Sequence, residues 1–178
     1  MRLTPLPAEE WNDDVVRALS VLMPPERAQP DRAGNMLGTF ARHPRLTKAY
    51  LTFNVHLLMN STLSQRITET IVLRTAVRRG SRYLWEHHVP LGKRAGLTDN
   101  ELEAVRVGSG IADPLEASVV AAVDELHDRT AITDATWGEL AARLNDQQLM
   151  DLVFTAGCYS LLAMAIESFG IEDEGGDG

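Results

Sequence analysis

Residues 64–97 read SQRITETIVLRTAVRRGSRYLWEHHVPLGKRAGL, two helical patterns joined at Gly80. In the first, Glu69, Val72, Leu73, Ala76 and Val77 recur at i, i+3, i+4, i+7 and i+8, one stripe of a 3.6-residue helix. A carboxylate therefore sits within an apolar face. In the second, Leu84, His88, Leu91 and Ala95 recur at i, i+4, i+7 and i+11, which sets an imidazole in that face. Glu69 lies eleven residues before Gly80 and His88 eight after it, roughly 16 Å and 12 Å from the turn at about 1.5 Å per residue. An antiparallel hairpin then brings the two to within about one helical turn of each other. A buried charge is costly unless it is paired. The two groups are expected to satisfy each other, as a catalytic couple or as a structural ion pair. Pro90 removes a backbone N–H from the second helix, and a kink is expected after about Glu86.

The 178 residues suit one domain with a sizeable core. Apolar residues at 44% and charged residues at 24% are the composition of a soluble globular chain. The net charge of −8 disfavours nucleic acid and anionic membrane surfaces as partners. No apolar run approaches about 18 residues, so no transmembrane helix is expected. The N-terminus carries Glu9, Glu10, Asp13 and Asp14 and lacks the apolar stretch of a signal peptide, which makes cytoplasmic residence the expectation. Cys158 is the one cysteine, so neither an intrachain disulfide nor a Cys-x-x-Cys centre can form. Beta-branched alternation is nowhere sustained, and the fold class is all-α.

In chain order, Pro7 opens a helix expected to reach about Leu22, with Trp11, Val15, Leu19 and Leu22 on one face. Pro24, Pro25 and Pro30 make the next segment a loop. A short helix is expected near 35–41. His43-Pro44 starts another to about Asn60, with Leu46, Tyr50, Phe53 and Leu57 as its face. Thr62 or Ser64 caps the first central helix. Thr98-x-x-Glu101 is a capping box for a helix to about Val107. Asp113-Pro114 opens a helix ending near Asp128, and Thr133 caps one through about Leu144. The last helix, capped by Asn145 or Asp146, should reach Phe169 and stop at Gly170. It is apolar around most of its circumference, which predicts burial by other helices. Residues 1–30 are an N-terminal helix and Pro-rich loop, and the acidic, Gly-rich residues 174–178 are expected to be disordered.

The stretch LSQRITETIVLRTAVRRGSRYLWEHHVPLGKRAGLTDNEL resembles the carboxymuconolactone decarboxylase family, which includes the alkylhydroperoxidase D-like proteins. ARHPRLTKAYLTFNVHLL is similar to the helix that precedes that family's core, and residues 124–172 to its C-terminal half. The resemblance spans residues 31–173. It implies an all-α fold built on a central antiparallel helix hairpin, and assembly into homotrimers or hexamers. The peroxidase branch of the family uses a Glu, a Cys-x-x-Cys and a following His. The Glu matches Glu69 and the His matches His88, whereas the two Cys positions fall on Ser81 and Leu84. A thiolate is the nucleophile that thiol peroxidation needs, so that chemistry is not expected. Many relatives read Glu-Tyr-Glu-Trp where this chain has Arg82-Tyr83-Leu84-Trp85, so it keeps the aromatic pair and loses two carboxylates. The decarboxylase branch works without metal or organic cofactor on a small carboxylated lactone.

Other groups carry weaker signals. His87 stands about 100° around the helix from His88, and there is no His-x-x-x-His, so no metal site is expected. His56 lies one residue round from the Phe53–Leu57 face and is a candidate to join the pocket. Tyr83 and Trp85 are expected to pack at an interface, with ligand lining as the alternative. Arg74 shares a side of its helix with Ile67, Ile71 and Arg78, away from Glu69. That second face predicts cover from a second subunit, with Arg74 in an interface ion pair. Cys158 reads as a small core residue.

Taken together, the expectation is a cofactor-independent acid–base enzyme, decarboxylase- or lyase-like, acting on a small organic acid or lactone. Glu69 and His88 are its catalytic residues, and Tyr83, His56, Trp85 and His87 are its substrate-binding candidates. The alternative is a non-catalytic member of the family that binds a small molecule or serves as an oligomeric structural protein.

Overall fold

The computed structural model describes residues 1–174; the rest of the predicted acidic tail lies outside the described residues. The helices are α1 (Asp13–Leu19), α2 (Gly34–Phe40), α3 (Pro44–Met59), α4 (Gln65–Arg79), α5 (Arg82–Arg94), α6 (Asp99–Val107), α7 (Pro114–Arg129), α8 (Asp134–Ala141) and α9 (Asp146–Phe169). No strand occurs among the described residues, so the fold is all-α as read from the sequence. The chain divides into two compact units, Met1–Asn60 with the segment from Ala165 onward, and Ser61–Met164.

In the first unit, Val15, Leu19, Ala28, Leu37 and Leu51 form the core. The Phe40 ring meets Tyr50 edge-on at 5.9 Å. The helix expected from Pro7 begins later. Residues Ala8–Glu10 form a single 3-10 turn, and Asn12 restarts the chain by accepting hydrogen bonds from the amides of Asp14 and Val15. An Asn cap satisfies two of the amides that a helix start leaves open, so the start is fixed at Asn12 rather than at the proline. On α3 the buried face is Thr47, Leu51, Asn54 and Leu57. Leu46 and Phe53, expected inside, are exposed. The polar Thr47 lies inside because its hydroxyl donates to the Phe40 carbonyl, a bond that hydropathy alone does not register.

In the second unit, α4 is the axis. Every residue from Ile67 to Ala76 is buried. α5, α6 and α7 pack around it. Ile67 and Ile71 join Val119, Val123, Leu140 and Leu152 in one core cluster, while Leu73 joins Leu97, Leu102, Val105 and Val120 in another. Both faces of α4 are thus covered from within the chain. Arg74, expected to meet a second subunit, is paired internally: its Nε and Nη2 donate to the two Asp124 carboxylate oxygens at 2.6 and 2.7 Å. α8 ends at Ala141, three residues short of expectation.

The last helix departs most from its sequence reading. Asn145 and Gln148 cap it reciprocally, each backbone amide donating to the other's side-chain oxygen at 3.0 Å. Yet it is not covered all round. Met150, Phe154, Leu161 and Met164, spaced at i, i+4, i+11 and i+14, are 50–58% exposed. An 18-residue window of this helix has a mean hydropathy of 1.8, long and apolar enough by length and composition alone to cross a membrane, as the core helix of a globular protein also can be; 56% of the window is buried within the protein.

Candidate functional site

The site is built on the α4–α5 hairpin. Ser64 caps α4, its hydroxyl accepting from the Ile67 amide. Gly80 ends α4 at φ 65°, and the Ser81 amide reaches back to the Ala76 carbonyl at 2.9 Å. A residue at positive φ is cheap only for glycine, so the reversal is fixed at this position. The two helices then approach closely at Gly92, where an added Cβ would lie 3.0 Å from Leu73 Cδ1 and 3.1 Å from Leu97 Cδ1. α5 runs through Pro90 without interruption to Arg94. The buried face of α5 holds Tyr83, Leu84, His88 and Gly92, while Leu91 and Ala95 are only half-buried.

This packing joins Glu69 and His88. His88 Nδ1 lies 2.9 Å from Glu69 Oε2. Glu69 is 3% exposed and His88 8%. An ionised carboxylate can only accept, so in the couple of a carboxylate with a neutral imidazole Nδ1–H is the donor. Nε2 has no hydrogen-bond partner among the described residues. The Tyr159 ring stands perpendicular to the imidazole at 5.1 Å. Three buried hydroxyls lack a hydrogen-bond partner on the segments that carry these groups: Thr68 on α4, Ser81 before α5 and Thr155 on α9. An orphaned buried hydroxyl costs on the order of 1–3 kcal/mol.

The other candidates divide. Tyr83 is buried and stacks on His87, with centroids 4.0 Å apart and planes at 16°. His87 is exposed, and its Nδ1 lies 2.9 Å from the Tyr83 carbonyl. Trp85 packs on the Leu73–Leu97–Leu102 cluster. His56 is exposed on α3, in the first unit. Cys158 is buried at 3% exposure, as read from its place in α9. Tyr159 escaped the sequence reading. Its signal was available in the repeat Thr155, Tyr159, Leu162 and Ile166, which is the buried side of α9.

Residues 44–125 match the profile of the carboxymuconolactone decarboxylase family. The sequence has no match among curated proteins. Among solved structures, an alkylhydroperoxidase AhpD core protein of Ralstonia eutropha, peroxidase-related, is similar with a TM-score of 0.76 and 17% identity, over 97% of this chain and 93% of that one. The debrominase Bmp8, in complex with 2,3,4-tribromopyrrole, is similar with a TM-score of 0.76 and 14% identity, over 97% and 91%. A peroxidase-related protein of Silicibacter sp. gives a TM-score of 0.73 at 14% identity, over 98% and 90%. These likenesses establish the fold. The family match covers residues 44–125, and within it Ser81 and Leu84 stand where the resemblance places the two Cys positions.

Proposed function

We propose that the protein is a cofactor-independent acid–base enzyme acting on a small organic acid or lactone, in the manner of a decarboxylase or lyase. The observation that carries this reading is the buried 2.9 Å bond between Glu69 and His88 with Nε2 left unbonded. With Nδ1–H held by Glu69, the ring presents one basic nitrogen in a fixed direction. That nitrogen can take a proton from a substrate C–H or O–H. The imidazolium so formed faces the Glu69 carboxylate, which stabilises it until the proton returns to a different substrate atom.

Thiol peroxidation is outside this proposal. Ser81 and Leu84 offer no thiolate, and Cys158 is buried. A dithiol-dependent assay with hydroperoxides should show no turnover; turnover lost on Cys158→Ser would overturn that part. The acid–base reading is tested with a panel of small carboxylated lactones and unsaturated acids. Where a substrate is found, Glu69→Gln and His88→Gln should stay folded and lose about 10²–10⁴ in rate. Folded variants with near wild-type turnover would remove the pair from the chemistry.

A second reading, a non-catalytic binding or structural role, is favoured by the burial of His88 to 8% exposure beneath Tyr159. A panel without turnover, together with ligands that bind wild type and His88→Gln equally, would select it.

The protein is also proposed to self-associate. The two-sided burial of α4 is accounted for within one chain, but the exposed Met150–Phe154–Leu161–Met164 stripe of α9 is a face that a second copy would cover. Light scattering at micromolar concentration should give a trimer or hexamer; a stable monomer would refute it.

A further inference from the structure

At the C-terminal ends of α4 and α7, beside α9, lies a cleft of about 310 Å³, at the lower end of the size range of small-molecule sites. Its lining includes neither Glu69 nor His88. One wall is apolar, with Val123, Leu126, Val153 and Ala156. The other carries Arg78, Arg79, His127 and Ser160.

The charges on the polar wall do not balance. Arg74, Arg78 and Arg79 stand on one helix, and Asp124 and Asp128 answer them from α7. Arg74 holds both oxygens of Asp124. Arg78 is bonded to Asp128 and lies 3.4 Å from Asp124. Three guanidiniums thus meet two carboxylates, and the unmatched one is Arg79. Its hydrogen-bond partner is a neutral hydroxyl, Ser160 Oγ, which accepts from Nε at 3.1 Å. The negative end of the α4 dipole favours a cation in this last turn, but it supplies no acceptor for the remaining guanidinium N–H groups. The second loose end is His127, whose Nδ1 is buried with no hydrogen-bond partner. An unneutralised cation and an unpaired imidazole nitrogen share a cleft with an apolar wall.

We propose that this cleft binds a small organic anion, a single carboxylate on a compact apolar body, with Arg79 taking the carboxylate and the Val123–Leu126–Val153–Ala156 wall taking the body. A monocarboxylate fits better than a phosphate, because one uncompensated guanidinium matches one negative charge and presents the planar fork that a carboxylate accepts. The proposal is independent of the chemistry assigned to Glu69 and His88.

Sodium benzoate is the probe, with benzamide as its neutral counterpart, each titrated calorimetrically into the full-length protein against sodium chloride controls. Benzoate should bind, and benzamide should bind at least about tenfold more weakly, the usual scale for a hydrogen bond to a charged group. Arg79→Gln should lose about tenfold or more for benzoate and nothing for benzamide, and Arg79→Lys should recover part of the loss. Arg79 is half-exposed at a helix end, so both variants keep the core intact. Arg45→Gln, in the separate basic groove with Arg42, His43 and Lys48, should bind as wild type does. The proposal falls if benzoate gives no heat at millimolar concentration, if benzamide binds equally well, if Arg79→Gln binds normally, or if Arg45→Gln is the variant that fails.

Discussion

On α4, Glu69 and Arg74 stand five residues apart, and both are buried, but their surroundings differ in kind. Arg74 is saturated. Nε and Nη2 hold Asp124, while Nη1 donates to the Val105 and Arg106 carbonyls at 3.0 and 2.9 Å, so four of its five N–H groups are engaged. Gly108, at φ 82°, lies against the guanidinium where any Cβ would collide with it. The cluster ties α4 to α7 and to the end of α6. Glu69 and His88 make one bond with each other, and the ring keeps a nitrogen unbonded. A network that uses four of five donors on a carboxylate and two carbonyls fixes a structure. A couple with one basic atom left over can also do chemistry.

The largest effect that would separate these two couples is on rate. The loss of about 10²–10⁴ in turnover expected of Glu69→Gln and His88→Gln should come with a stability loss of on the order of 1–3 kcal/mol, the scale of a buried hydrogen bond. Arg74→Met should do the reverse. Denaturant unfolding should show a loss of about 3–5 kcal/mol, since Asp124 loses its two-point partner and two carbonyls lose their donor, while turnover per folded molecule stays near wild type. If Arg74→Met abolished turnover in a folded protein, the division between a structural and a chemical couple would be wrong.

A smaller effect tests the approach of α5 to α4. Gly92→Ala places a methyl 3.0 Å from Leu73 Cδ1. Overpacking of this kind costs about 1–3 kcal/mol, against a helix-propensity gain of about 1 kcal/mol for alanine. A net fall in melting temperature is expected, and turnover should fall too because the hairpin that joins Glu69 to His88 is spread. A more stable Gly92→Ala would show that the close approach is not needed.

The smallest effect concerns pH. Burial, and then the charges of Arg78 and Arg79, push the His127 pKa below its ordinary 6.5. The unfolded chain therefore binds this proton more readily than the folded one. The contribution to stability is present above about pH 6.5 and is lost as pH falls through the lowered folded value. His127→Gln should flatten the acid side of the stability profile measured between about pH 7 and pH 5. An unchanged profile would mean that His127 protonates freely in the folded protein.

The sequence by itself determined the helices, the reversal and the couple, because each is written in short-range chemistry. Gly80 is the residue that takes positive φ at the turn. Thr98 and Glu101 form the capping box that their spacing predicts. Glu69 and His88 fall on facing stripes because both are counted from the same turn. Only the tertiary structure decided what lies across from each stripe. Asp124 meets Arg74 across 50 residues of chain, and no periodicity near either residue names the other. Tyr159 comes onto His88 from 71 residues further along the chain. The inner face of α3 turned on a hydroxyl bonded to the Phe40 carbonyl. Hydropathy states that a residue can be buried; which neighbour buries it is settled by packing between segments distant in sequence, where side-chain shape and hydrogen-bond partners count and local pattern does not.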